Sequence, residues 1–238
     1  MRVEKVPSGC SLLAVALVGG VAASAIASYG IGHVSVTFDD PDRVDRPVPA
    51  EIFYPADEPG EGVPVAPAPA GGFPAVVIGH AFGGGATILA AHAESTIRAI
   101  VNLAAQNGPR PSPANLADEV TVPALVFAAS HDCVTPPASH QLPIYENLGS
   151  SWKTYVCLTG GSHCKFSGPD PDCHAAESGR RTPTVSAAQQ QAAVLDLLLP
   201  WLAAVLKDDQ AAGEEIQRRL EATSDISFLQ AGALPVRR

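Results

Sequence analysis

Ala81, Asp132 and His163, with their immediate neighbours, are the residues of this chain whose types and order could do chemistry together. Gly79-His80-Ala81-Phe82-Gly83 follows the apolar run Ala75-Val76-Val77-Ile78 and precedes an Ala/Leu-rich stretch. A short strand, a tight glycine-flanked turn and a helix make the elbow that presents a serine nucleophile, G-x-S-x-G. Here the pattern is G-x-A-x-G, so the frame is present and the reactive oxygen is not. Ser130-His131-Asp132-Cys133 follows a second apolar run, and Gly160-Gly161-Ser162-His163 follows a third. A hydroxyl at position 81 would need an imidazole to take its proton. His163 is the candidate base, and Asp132 the group that would hold its tautomer and stabilise its cation. The backbone N–H of Phe82, opening a helix, is the candidate oxyanion donor. Each element also has a plainer role, as a strand-to-helix turn, a turn aspartate or a structural histidine. Their order, each after a strand, favours a joint site. His131 is expected to be structural, and His140 and His174 to lie on the surface. Ser130, Ser139 and Ser162 stand outside any elbow and are not expected to replace the missing nucleophile.

These residues need a scaffold, and the apolar pattern supplies one. His33 to Phe38 and Ala50 to Tyr54 read as strands, with a turn bracketed by Pro41 and Pro47. Residues 57–72 are Pro, Gly, Ala and acid without a period, a surface loop. Ala75 to Ile78, Ile97 to Leu103, Val122 to Ala128 and Thr154 to Leu158 are short apolar runs of the kind buried in parallel sheets. Helical stretches are expected at Ala86 to His92, Pro137 to Leu148, Ser186 to Leu206 and Asp208 to Ala222. The third carries Leu195, Leu198, Leu199 and Leu202 at helical spacing. Alternating strands and helices predict an α/β fold with a mostly parallel sheet, whose catalytic loops lie at the carboxyl ends of the strands.

With 238 residues and 46% hydrophobic content, the chain is long enough for one well-buried domain. Its net charge of −9, with basic residues scattered, argues against a nucleic-acid partner. Arg2 and Lys5 precede a nearly all-apolar run from Ser11 to Ala27 that ends in small-x-small cleavage patterns. Residues 1–27 therefore read as an export signal, or an anchor to the membrane if retained. Residues 28–223 read as the domain and residues 224–238 as a C-terminal tail. Export means a secreted or periplasmic protein and an oxidising compartment. Cys164 and Cys173 close a short loop and are the natural disulfide, leaving Cys133 and Cys157 to pair by elimination. The rival is a zinc site from His163, Cys164, Cys173 and His174, whose spacing fits no standard zinc pattern. No metal or cofactor is expected, and a monomer is.

The chain resembles α/β hydrolases of the cutinase, polyester hydrolase and dienelactone hydrolase-like group. The resemblance is carried by Asp40 to Arg43, Ile52 to Ala56, Phe73 to His80, Phe82 to Thr87, Leu89 to Ala91, Val122 to Phe127, Asp132 to Pro137, Gly160 to Phe166 and the stretch around Trp201-Leu202. It implies an α/β-hydrolase fold, a Ser-Asp-His triad and esterase activity on lipids, small esters or polyesters. Two departures stand out. Ala81 occupies the serine's place, and one Gly79-His80 turn serves where the family has two, an oxyanion loop and the elbow. An in-frame deletion joining the two turns accounts for both, and the short chain favours it over a Ser→Ala change. The fold is thus expected to be shortened between the oxyanion-loop strand and the elbow. The expected function is that of an exported serine ester hydrolase, inactive or crippled as written. The alternative is a non-catalytic pseudoenzyme that binds a ligand in the same pocket.

Overall fold

The computed structural model describes residues 13–15, 29–40, 46–108, 111–178 and 181–232. Two sheets form. The smaller holds β1 (Leu13–Val15), β2 (Gly30–Asp40), β3 (Arg46–Ala56) and β4 (Gly60–Glu61) in the order β1-β3-β2-β4. The larger runs β5-β6-β7-β8-β9, from β5 (Ala75–His80) through β6 (Ile97–Leu103), β7 (Ala124–Ala129) and β8 (Trp152–Leu158) to β9 (Ile226–Gly232). Strands β5 to β8 are parallel and β9 is antiparallel to β8. Helices α1 (Phe82–Ala93), α2 (Pro113–Leu116), α3 (Gln141–Asn147), α4 (Pro171–Glu177), α5 (Ala187–Lys207) and α6 (Gln210–Ala222) complete the fold.

The period of two along each strand builds the three layers. On β7, Leu125 and Phe127 join Val76, Ile78 and Val101 in a core closed by Trp201 and Leu202 of α5 and by Ile216 and Leu220 of α6. The alternate residues Ala124, Val126 and Ala128 join Ile100 in a second core, closed by Ile88 of α1 and Ile144 of α3. All six β7 residues are buried, as a central strand covered on both faces requires. Trp152 and Trp201 stack with ring centroids 5.5 Å apart, tying the base of β8 to α5. A capping box of Ser186 and Gln189 starts α5.

Three expectations are corrected. The segment expected as a tail supplies β9, because Ile226, Phe228 and Gln230 alternate with Ser227 and Leu229 along the edge of β8. The stripe of α5 that faces the core is Val194, Leu197, Leu198, Trp201 and Leu202, whereas Leu195 and Leu199 are exposed. The stripe is rotated because Trp201, the largest side chain of the helix, sets which face the sheet receives. Within the 57–72 loop, β4 and a bridge from Ala56 to Val65 add short pairings. Apart from β1, the expected export signal lies outside the described residues, as does the turn at 41–45.

Candidate active site

The elbow forms where the sequence places it. β5 ends at His80 and α1 begins at Phe82, so Ala81 alone makes the turn, with φ 53° and ψ −120°. That is a backbone conformation which non-glycine residues avoid. Backbone bonds hold it: Ala81 N–H donates to Leu103 O at 3.1 Å, and Ala81 O accepts from Gly85 N–H at 3.2 Å and Gln106 N–H at 2.8 Å. The glycines are steric necessities. A Cβ on Gly79 would lie 2.2 Å from Gly83 O, and one on Gly85 would lie 2.5 Å from Gln106 O. Beneath the turn, Asn102 of β6 donates to Gly84 O at 2.6 Å and to the Thr87 hydroxyl, pinning α1 to the sheet. Ala81 is the N-cap of α1 and provides no capping side chain. The first N–H groups of α1 and the positive end of its dipole are therefore directed at the turn.

Asp132 and His163 meet. His163 Nδ1 lies 2.9 Å from Asp132 Oδ2, and both residues are buried. Asp132 sits in the turn after β7, where its Oδ1 accepts from the N–H groups of Val134 at 2.9 Å and Thr135 at 2.7 Å. Since a carboxylate oxygen can only accept, His163 carries its proton on Nδ1, and its Nε2 is left to accept another. The loop bearing His163 is held from several sides. Gln190 of α5 accepts from Ser162 N–H at 2.9 Å and donates to Ser162 O at 2.8 Å. Glu177 of α4 accepts from the Ser162 hydroxyl at 3.0 Å and from Cys164 N–H at 3.3 Å. Ser130 Oγ accepts from Gly160 N–H at 2.8 Å, joining the Asp132 and His163 loops.

The elbow reaches this pair through His80. Its ring lies 4.5 Å from that of His163, and its Nε2 donates to His163 O at 3.1 Å. Burial, reinforced by the neighbouring His163, pushes the His80 imidazole down to about 4, so it is neutral near pH 7. The end of β6 completes the connection. Leu103 O receives the Ala81 N–H, and Ala104 O receives the Thr135 hydroxyl at 3.1 Å. Phe82 follows the turn and is 67% exposed, on the surface next to Ala81.

Of the four expected cysteine partners, Cys164 and Cys173 form a disulfide. No disulfide joins Cys133 to Cys157. Cys157 lies within β8, where its thiol is engaged by Tyr155 and by Ser227 of β9, and burial pushes that thiol up. Cys133 leaves the end of β7 instead, with its thiol 3.4 Å from His131 O. Both line a cleft of about 630 Å³ with Ser130, Asp132, Pro137 and Arg181, which neither Ala81 nor His163 lines. The expected rival zinc site is consumed by the disulfide, which occupies both of its thiols. His131 Nδ1 is 2.8 Å from Thr182 O, His140 Nδ1 accepts from Asn107 N–H, and His174 is exposed on α4. The chain pattern gave no place to His80, Thr135 or Gln141 at the site. The only sequence signals were the position of His80 beside Ala81 and of Thr135 three residues after Asp132.

The PET hydrolase-like family description matches residues 25–176 of the chain. A bis(hydroxyethyl) terephthalate hydrolase of Streptomyces coelicolor is 36% identical over 88 residues, which are 37% of this chain and 27% of that protein. Cutinase 1 of Thermobifida cellulosilytica is 35% identical over 91 residues, 37% of this chain and 32% of that protein. Cutinase est1 of Thermobifida alba is 28% identical over 146 residues, 58% of this chain and 46% of that protein. The chain thus spans less than half the length of these curated relatives.

Proposed function

The chain belongs to the PET hydrolase-like family of α/β hydrolases, and from that premise we propose that it is a carboxylic ester hydrolase scaffold whose acyl-transfer site lacks its nucleophile. The single observation that carries this reading is the pairing of a strained elbow residue, Ala81 at φ 53°, with a buried Asp132–His163 couple at 2.9 Å. In this reading position 81 is the nucleophile site, His163 Nε2 the general base and Asp132 the group that fixes the imidazole. The N–H of Phe82 faces the oxyanion. Without a hydroxyl no acyl-enzyme can form, so the chain as written binds an ester without turning it over, or turns it over feebly. The substrate class is an ester or polyester, as the names of the relatives suggest. The Cys164–Cys173 disulfide and the basic, then apolar N-terminal stretch support export.

The test is Ala81→Ser assayed on a short p-nitrophenyl ester. Loss of a triad nucleophile costs roughly a millionfold in turnover. The substitution is therefore expected to raise kcat by at least about a thousandfold over the parent chain, even with an imperfect oxyanion hole. A folded Ala81→Ser protein with no hydrolysis above background refutes the esterase scaffold. Retained binding of a non-hydrolysable ester analogue by that protein then favours the pseudoenzyme.

A further inference from the structure

We propose that Thr135 is a positioning residue, a second acceptor that locks the His163 ring with its proton on Nδ1. Thr135 is fully buried, and four polar groups surround its hydroxyl. His163 Nδ1 lies at 2.9 Å, Asp132 Oδ2 at 2.8 Å, Ala104 O at 3.1 Å and Gln141 Nε2 at 3.2 Å. A hydroxyl has one proton to give and two lone pairs to accept with. Gln141 Nε2 can only donate, so it takes one lone pair. The Nδ1–H of His163, which is already directed at Asp132, takes the other as a shared bond. The single hydroxyl proton then goes to Asp132 Oδ2 or to Ala104 O. Every valence of the Thr135 oxygen is used, and the hydroxyl proton has an acceptor in either of its two orientations.

The placement has a consequence for the imidazole. Asp132 Oδ1 is taken by two backbone N–H groups, so only Oδ2 faces His163. One acceptor fixes where the Nδ1 proton points but leaves the ring free to rock about that contact. Two acceptors at 2.9 Å, on separate groups, fix the ring plane as well. Gln141, also fully buried, anchors the second acceptor by donating to Ala105 O at 2.6 Å. In such a water-excluded network each bond is stronger than in solvent, and losing one member is felt by the rest. The inference rests on the reading of Asp132 and His163 as an acid–base pair, but the tautomer it predicts exists whether or not the chain turns over an ester.

Thr135→Val removes the hydroxyl and keeps both the branched shape and the backbone N–H that bonds Asp132. Two readouts separate positioning from packing. The first is the tautomer of His163, read from imidazole nitrogen shifts by NMR in the full chain and assigned with His163→Gln. The parent is expected to be the Nδ1–H form, and Thr135→Val is expected to raise the Nε2–H population about tenfold, the loss of one hydrogen bond. The second is kinetic, in the Ala81→Ser background. There Thr135→Val should lower kcat about tenfold while KM stays within about twofold, and Thr135→Ser should restore kcat and tautomer together. An unchanged tautomer in Thr135→Val overturns the proposal, as does a Thr135→Ser variant that folds and fails to rescue. Should Thr135→Val not fold, Thr135→Ala is read in its place, and an unchanged tautomer there overturns the proposal, as does an Nε2–H tautomer of His163 in the parent. Should Ala81→Ser hydrolyse nothing while the tautomer responds as stated, the esterase reading falls and the positioning of His163 stands.

Discussion

His80 makes the stability of this fold depend on pH in a direction and size that follow from its surroundings. The imidazole is packed between His163, at 4.5 Å, and Phe166, at 6.2 Å. Burial is the larger reason that its charged form is disfavoured, and the charge of His163 is the second. The hydrogen bond to His163 O, then Asp132 and Asp170, pull the other way and are too weak to compensate. Among the described residues its Nδ1 has no hydrogen-bond partner, so a proton placed there would be buried without an acceptor. The folded value of about 4 stands against an unfolded value of 6.5. Between those values the unfolded chain binds more protons than the native one, so acid favours unfolding. The contribution is fully present above pH 6.5 and is lost as pH falls towards 4. At about 1.4 kcal/mol per pH unit, the complete effect is about 3 kcal/mol. The part falling between pH 7 and pH 5 is about 2 kcal/mol.

The perturbation is His80→Gln, which removes the titration and keeps an amide N–H able to reach His163 O. Urea unfolding followed by tryptophan fluorescence suits the fold, since Trp152 and Trp201 are buried and stacked. Both proteins are measured at pH 7, 6 and 5. Histidines and carboxylates remote from His80 titrate alike in the two proteins and cancel in the difference. The parent is expected to lose about 2 kcal/mol more than the variant between pH 7 and pH 5. Parallel profiles, agreeing within about 0.5 kcal/mol, would mean that the folded protein accommodates a charged His80, and the account of its burial fails.

Two further outcomes follow from the same geometry. Ala81→Gly should stabilise the chain by about 1 kcal/mol, against the usual sign of Ala→Gly, because it relieves a non-glycine residue at φ 53°; thermal unfolding a few degrees higher is the expected readout, and a lower midpoint shows that the turn is unstrained. Removing the Cys164–Cys173 disulfide by Cys173→Ala should cost about 2–3 kcal/mol and expose the segment around α4, which buries none of its own residues; limited proteolysis confined to residues 167–178 is expected, and unchanged resistance refutes it.

The parallel core of the fold was legible because each strand is a short apolar run with a clear boundary. Ile97 to Leu103 matches β6 residue for residue, and the order of Asp132 and His163 after strands carried through to a contact. β9 was missed because half of its residues face out from an edge strand, which leaves Ile226-Ser227-Phe228 looking like tail. The face of α5 was misjudged because Leu195 and Leu199 fit the period as well as Leu197 and Trp201 do, and only the sheet decides between overlapping stripes. Pairing Cys133 with Cys157 by elimination assumed that every cysteine must find a disulfide partner. The hydrogen bonds that hold Cys157 against β9 depend on register, which spacing does not encode. Thr135 and Gln141 were invisible for a similar reason: a threonine in a proline-rich turn looks like turn chemistry until its oxygen is seen among four partners.

What fixes the turn at Ala81 bears on what an Ala81→Ser side chain would meet there. A serine's hydroxyl plays no part in shaping this turn here, since Ala81 holds φ 53° through its own N–H and carbonyl. Those bonds reach β6 and α1, and the clash limits at Gly79 and Gly85 lie on the same elements. The strain at Ala81 is therefore imposed by the scaffold and would be the same for any small side chain. His163 is likewise oriented by Asp132, Thr135 and the braces from α4 and α5, through hydrogen bonds that do not involve position 81. His163 and the turn are thus held independently of the side chain at position 81. On the proposed reading, a single oxygen added at position 81 enters a turn whose backbone is already set beside an imidazole that is already oriented, which is why Ala81→Ser alone is the test.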